Sequence, residues 1–153
     1  MTPEDRTKAL EIATEMIAKF EGCKLRAYQD SVGVWTIAYG HTKNVTRGLV
    51  ITQAEADRLL NEEVDSFMSG VESHLKVDPT ANQLAAMTSF AYNVGLHNFA
   101  HSSLLRHFNN REIPEAKREF GKWNHAGHKV LAGLTIRRHK EATVFCSMTA
   151  WEY

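Results

Sequence analysis

Two carboxylates and a hydroxyl, those of Glu21, Asp30 and Thr36, fall within the single segment Phe20 to Ile37. The segment reads as a helix end, a bend, a turn and a strand, so the three side chains stand on separate local elements that can converge around one bond. Acid-catalysed glycoside cleavage needs that layout: one carboxyl protonates the leaving oxygen while a second carboxylate acts from the opposite side. Taken alone, a Glu and an Asp at this separation are usually solvated surface charges. Thr36 alone is an ordinary strand threonine, because β-branching favours strands.

The elements that must position these groups follow from local chemistry. Thr2-Pro3 opens a helix, with an N-cap, a proline at the first helical position and acids in the first turn. Leu10, Ala13, Ile17 and Phe20 give it one apolar face, and Gly22 offers a left-handed stop. Glu21 is then at a helix C-terminus, whose negative dipole end favours the protonated carboxyl. Tyr28, Val32, Val34, Trp35, Ile37 and Tyr39 are β-formers between turn residues, which predicts a two- or three-stranded antiparallel sheet that must lean on helices. Thr52-x-x-Glu55 is a capping box opening a long helix through Ala56, Leu60, Val64, Phe67, Val71 and Leu75, with Gly70 as a point of bending or weakening. A second box, Thr80-x-x-Gln83, opens a helix through Leu84, Met87, Phe90, Ala91 and Val94 that ends near Gly95. Shorter helices are expected from Ser102 or Ser103 through Phe108 and from Pro114, with Phe120 and Trp123 on one side. Asn124 to Gly127 reads as a loop, and a last helix is expected from about Leu134 to Met148.

The fold class expected is α+β, mainly α: one domain over 1–153 with two lobes. A small sheet-bearing lobe at about 21–52 and a larger helical lobe at about 77–153, with the N-terminal helix, are joined by the helix at about 53–76. The cleft between them is the natural groove.

With 153 residues, 43% of them hydrophobic and 24% charged, the chain has the make-up of a globular protein that buries a real core. Lys plus Arg and Asp plus Glu both total 18, so the net charge is zero, and nothing draws the body to nucleic acid or an anionic membrane. The eight histidines make it cationic as pH falls through about 6.5. The charged N-terminus lacks the apolar region of a secretory signal, and no run approaches a membrane span, so the chain is expected to stay where it is made. Cys23 and Cys146 are expected as free thiols, with a disulfide as the lesser alternative.

Other chemistry-bearing residues are weaker. His97 and His101 have the spacing of a helical metal pair, with His125 and His128 downstream, but no zinc-hydrolase glutamate accompanies them. They read as surface histidines, and no metal is expected. Trp35, Phe90, Tyr92, Phe99 and Trp123 are core by default rather than sugar platforms. Tyr28 either lines the cleft or caps the sheet. Trp151 and Tyr153 form a tail expected to fray.

The pattern Glu21-x8-Asp30-x5-Thr36 resembles that of the phage-type lysozymes, glycoside hydrolase family 24. Phe20-Glu21-Gly22, Ala27-Tyr28-x-Asp30 and Trp35-Thr36-Ile37-x-Tyr39-Gly40-His41-Thr42 agree with it. So do Gln83-Leu84-Ala85-Ala86, Ser89-Phe90-Ala91-Tyr92-Asn93-Val94-Gly95, Ser103-Leu104-Leu105 and Gly133-Leu134-x-x-Arg137-Arg138. The resemblance implies the bilobal lysozyme fold and hydrolysis of the β-1,4 bond between N-acetylmuramic acid and N-acetylglucosamine in peptidoglycan, with inversion. By it, Glu21 matches the general acid, Asp30 the second carboxylate, and Thr36 the hydroxyl that helps hold the attacking water. Tyr28, Gly40, Ser103 and Arg137 are the substrate-binding set. His41 matches a position that pairs with an acid to tie the lobe together. Either Arg137 or Arg138 meets Glu21 from across the cleft, or both form a solvated basic face; the two readings stand equal. No cofactor is implied. The implied setting is an endolysin: a monomer held in the host bacterial cytoplasm until a separate, holin-type membrane-permeabilising protein releases it to the cell wall. Two departures stand out. Ala38 occupies a usual glycine, narrowing the groove unless its φ is negative, and His125 to Lys129 is poorer in glycine than usual, which would alter subsite contacts.

Two other functions compete. A lytic transglycosylase on the same fold would use Glu21 alone and release a 1,6-anhydro sugar, which the presence of Asp30 and Thr36 argues against. A non-catalytic helical protein using Arg137-Arg138-His139-Lys140 on phosphate is disfavoured by the zero net charge.

Overall fold

The computed structural model of the chain describes residues 1–147; Met148, Trp151 and Tyr153 lie outside the described residues. The N-terminal helix, α1 (Pro3–Glu21), starts as its caps dictate: the Thr2 hydroxyl accepts from the Asp5 N–H, the Asp5 carboxylate accepts from the Thr2 N–H, and proline fills the first turn. It ends at Gly22, whose φ of 67° is the left-handed stop. Its fully buried stripe is Ala9, Ile12, Ala13, Met16 and Ile17, so Leu10 and Phe20 flank the core rather than enter it.

Two strands follow, β1 (Lys24–Gln29) and β2 (Trp35–Ala38), paired antiparallel with an irregularity between Lys24 and Tyr28. Single bridges from Arg26 to Val50 and from Ile37 to His41 extend them. So small a sheet is marginal in water; this one seats Ile37, Ala38 and Ala56 in a small hydrophobic cluster that leans on α2 (Gln53–Glu72). That helix is shorter than the sequence suggests, ending at Glu72. It runs unbroken through Gly70, because the missing side chain there makes room for Leu96: a Cβ would stand 2.5 Å from its Cδ1. The glycine permits close packing of Leu96 against the helix.

The centre of the molecule is α3 (Ala81–Val94), opened by the Thr80/Gln83 capping box and buried on every side from Leu84 through Ala91. It packs against α1, α2 and a C-terminal helix, α7 (Ala132–Cys146). Between them lie α4 (Leu96–Ala100), α5 (Ser103–Asn109) and α6 (Ile113–Phe120). Phe90 lies edge-on to Phe99, Phe120 and Trp123. Each such buried ring contributes about 1.5–3 kcal/mol. α3 stops at Gly95 as expected, and the short α4 follows directly, that glycine turning the chain at φ 96°. One expectation needs correction. His125 to Val130 is no open loop but a tight hairpin of β3 (His125–Ala126) and β4 (Lys129–Val130), which Gly127 closes at φ 62°. Cys23 is half-buried, Cys146 exposed, and both are free thiols.

Candidate active site

Glu21 is the last residue of α1, and its side chain is 25% exposed. Its Oε2 accepts a hydrogen bond from Arg137 Nη1 at 3.2 Å. Its Oε1 faces Gly40, where an added Cβ would stand at 3.4 Å. Gly40 is thus fixed twice, by the φ of 88° at the end of the strand segment and by the carboxylate beside it.

Arg137 and Arg138 settle the two readings left open for them. Both are buried, at 4% and 1% exposure, so neither forms a solvated face. Arg137 Nη2 donates to the Ser89 carbonyl oxygen at 3.1 Å, Nε donates to Glu141 Oε2 at 3.3 Å, and the guanidinium covers the Phe20 ring at 5.0 Å. Arg138 covers Phe90 at the same distance and places Nε 2.7 Å from Glu141 Oε1. The carboxyl at the end of α1 is therefore held by a helix distant in sequence.

Asp30 sits in the turn between β1 and β2, tied to the backbone around it. Its Oδ1 accepts from the Val32 and Val34 N–H groups, both at 2.9 Å, and its own N–H donates to the Val34 carbonyl. Among the described residues Oδ2 takes no hydrogen bond. Thr36 is 4% exposed, and its hydroxyl donates to that same Val34 carbonyl at 2.9 Å. Asp30 and Thr36 are thus brought together through Val34, as Glu21, Gly40 and Arg137 are brought together around one carboxylate. Tyr28 pairs with Thr36 across the strands and is 38% exposed. Ser103 is exposed at the start of α5, where it lines a cavity of about 450 Å³ with His74, His101, Arg106 and Asn109; none of these touches Glu21.

Behind the strand end runs a second polar chain. His41 Nδ1 meets Glu63 Oε1, the acid pairing expected of His41. Tyr92 donates to the Tyr39 carbonyl at 3.1 Å and reaches Glu63 Oε2 at 3.5 Å. Burial, then the charges of Glu63 and Glu21, push the Tyr92 phenol up. The Tyr39 phenol is pushed up to about 12, chiefly because it donates to Asp57 Oδ1 at 2.8 Å and then by burial. The histidines His97 and His101 stack with ring centroids 4.4 Å apart.

Ala38 departs from expectation. Its φ is 56°, in the left-handed region, and the residue is 2% exposed. A negative φ was to relieve the extra methyl; instead the chain holds alanine in a conformation that favours glycine. Glu141 and Ser89, central to the arginine cluster, were missed as functional candidates. Glu141 stands three and four residues beyond the two arginines, a helical pair spacing that carries the signal; nothing local marks Ser89.

Residues 18–141 match the family model described as phage lysozyme. An endolysin of Bacillus phage PZA is 43% identical over 137 residues, covering 88% of this chain and 53% of that protein, so the chain spans about half the length of that relative. An endolysin of Acyrthosiphon pisum secondary endosymbiont phage 1 is 38% identical, covering 85% of this chain and 92% of its own. Among solved structures, the muramidase domain of SpmX from Asticaccaulis excentricus superposes with a TM-score of 0.84 at 34% identity, covering 88% of this chain and 95% of that one. The architecture is accordingly the lysozyme fold, and the chain belongs to the phage lysozyme family.

Proposed function

We propose that the chain is a muramidase that hydrolyses the β-1,4 bond between N-acetylmuramic acid and N-acetylglucosamine of bacterial peptidoglycan, acting as an endolysin in host lysis. The single observation that carries the reading is Glu21: a carboxyl at a helix end, one oxygen pinned by a buried arginine and the other turned to a glycine. That is a proton donor held in one orientation. Glu21 gives its proton to the glycosidic oxygen as that bond breaks. A water attacks the anomeric carbon from the other face and passes its proton to Asp30 Oδ2, with the Thr36 hydroxyl oxygen accepting the water's second hydrogen bond. The product is inverted, and solvent returns the proton to Glu21 and removes that on Asp30. Tyr28, Gly40 and Ser103 line the path of the glycan, and Arg137 serves it through Glu21.

The two hydrophobic clusters, which share Tyr39, support a single domain of two lobes: the sheet-bearing part at about 21–52, α2 as the connection and the remaining helices as the larger lobe. The protein works as a monomer and waits in the host cytoplasm. No helix among the described residues is long and apolar enough to cross a membrane. Release is by a separate membrane-permeabilising partner.

One observation favours a second reading. Asp30 already spends Oδ1 on two backbone N–H groups, as a purely structural turn residue would, and a transglycosylase needs only Glu21. Mass spectrometry of muropeptides released from purified peptidoglycan by the wild type and Asp30→Asn decides between them. Hydrolysis gives reducing muropeptides and a strongly impaired Asp30→Asn. Products one water lighter, formed equally well by the variant, refute the hydrolytic assignment.

A further inference from the structure

Glu141 is fully buried, and the charged groups around it are all donors. Its Oε2 accepts from the Ser89 hydroxyl at 2.6 Å, from Arg137 Nε at 3.3 Å and from Arg138 Nη2 at 3.3 Å, and Arg138 Nε stands 2.7 Å from Oε1. Guanidinium groups have no acceptor to offer a carboxylic proton, so both arginines favour the carboxylate, to which the Ser89 hydroxyl then donates. Arg137 is thereby shared: one edge belongs to Glu141, one nitrogen to Glu21, and a third to the Ser89 carbonyl.

We infer that Glu141 is a positioning residue for the proton donor: it orients Arg137 toward Glu21 and offsets the charge with which that guanidinium would otherwise strip Glu21 of its proton. The inference rests on the reading of Glu21 as the general acid. With Glu141 ionised and Glu21 carrying its proton, the cluster holds two guanidinium cations and one carboxylate, so half of the positive charge is already offset. Without the Glu141 charge, both guanidiniums act on Glu21 alone, and its ionised, non-donating form is favoured. Other charges face the cluster: Glu63 from α2, paired with His41; Tyr92 from α3; and Lys117 and Arg118 of α6, which line a cavity of about 490 Å³ together with Arg138 and His139 of α7. These stay in place when Glu141 or Arg138 is changed, so a comparison of variants cancels them. Burial pushes the Glu141 carboxyl up, and the two guanidiniums pull it only part of the way back; it is the geometry of donors around it that argues for the carboxylate.

The test is the pH dependence of lytic rate on purified peptidoglycan, whose alkaline limb reports loss of the donor's proton. Glu141→Gln keeps shape and removes charge, and its alkaline limb is expected to move down by about one pH unit. Arg138→Met removes the competing cation, leaves Glu141 wholly to Arg137, and is expected to move the limb upward. Should a variant fail to fold, carbon-13 NMR of glutamate-labelled wild type carries the test, with the Glu141 carboxyl expected to stay ionised across the active pH range. Limbs that coincide with wild type while only melting temperature falls would overturn the inference, as would a protonated Glu141 in the active range. Glu21→Gln run alongside separates the two failures: an active Glu21→Gln sinks the muramidase reading and the inference with it, whereas an inactive one beside unmoved limbs sinks the role of Glu141 alone.

Discussion

The Tyr92 hydroxyl of α3 donates to the Tyr39 carbonyl at 3.1 Å, fastening the central helix to the end of the strand segment that leads into Gly40. Tyr39 packs against both hydrophobic clusters, so this bond lies where the sheet meets the helical body. The position of Gly40 against Glu21 depends on it.

Tyr92→Phe should therefore lower stability at neutral pH by about 1 kcal/mol, the net worth of one such bond. Above about pH 10 that advantage shrinks. The Tyr92 phenol is pushed up in the folded state, so its contribution is complete below the ordinary tyrosine value and is lost as pH rises beyond it. Unfolding free energy of the wild type must then fall more steeply than that of Tyr92→Phe, by up to about 1.4 kcal/mol per pH unit. Tyr39, pushed up to about 12, is present in both proteins and cancels. Urea denaturation from pH 8 to pH 11 measures the two slopes; parallel slopes refute the assignment.

Gly40 and Gly48 provide a matched pair. Both have strongly positive φ, 88° and 85°, but a Cβ at Gly48 meets nothing within 4 Å while one at Gly40 meets Glu21 Oε1 at 3.4 Å. Each alanine substitution should cost about 1–2 kcal/mol of backbone strain. Gly40→Ala alone should also lower activity, by a few-fold, as its methyl group comes into contact with the Glu21 carboxylate. Lytic rate set against melting temperature for the two variants checks this, and equal activities would show that the Gly40 contact is idle.

At Ala38 three magnitudes compete. Relief of a left-handed alanine is worth about 1–2 kcal/mol, loss of a buried methyl costs about 0.8 kcal/mol, and the added freedom of an unfolded glycine costs about 0.4–1 kcal/mol. Ala38→Gly should thus fall within about 1 kcal/mol of wild type, which explains how alanine is tolerated there. Ala38→Val adds a β-branched side chain at φ 56° in a site only 2% exposed and should cost more than about 2 kcal/mol. Thermal unfolding of both variants supplies the comparison.

The His41–Glu63 pair ties the end of the sheet segment to α2, its side chains 17% and 28% exposed. A charge-assisted bond so placed is worth about 1.5–3 kcal/mol. A double-mutant cycle with His41→Gln and Glu63→Gln should return a coupling of that order, and a coupling near zero would make the contact incidental.

How much of this was legible beforehand divides along physical lines. The caps at Thr2 and Thr80, the stops at Gly22 and Gly95, and the helix faces are written in local spacing and appear nearly where expected. The helix end, turn and strand that carry Glu21, Asp30 and Thr36 were legible because their signals are local too. The cluster behind Glu21 was legible only in part: an arginine of the last helix meeting Glu21 stood as one of two equal readings and Glu141 has helical pair spacing to both arginines, but Arg137 lies 116 residues from Glu21 and only packing unites it with Ser89. Burial of both arginines is likewise a tertiary fact: charged residues are read as exposed unless a partner is known. The hairpin at Gly127 was missed because two-residue strands leave no alternation to see, and the role of Gly70 because the residue it accommodates, Leu96, belongs to another helix.

The central claim is that Glu21 donates the proton that cleaves the glycan, and the rate at which Glu21→Gln releases new reducing ends from purified peptidoglycan tests it most directly. With folding confirmed by an unchanged circular dichroism spectrum and melting temperature within a few degrees of wild type, the account expects a loss of about 10²–10⁴-fold. A folded Glu21→Gln that cleaves within about threefold of the wild-type rate would contradict it.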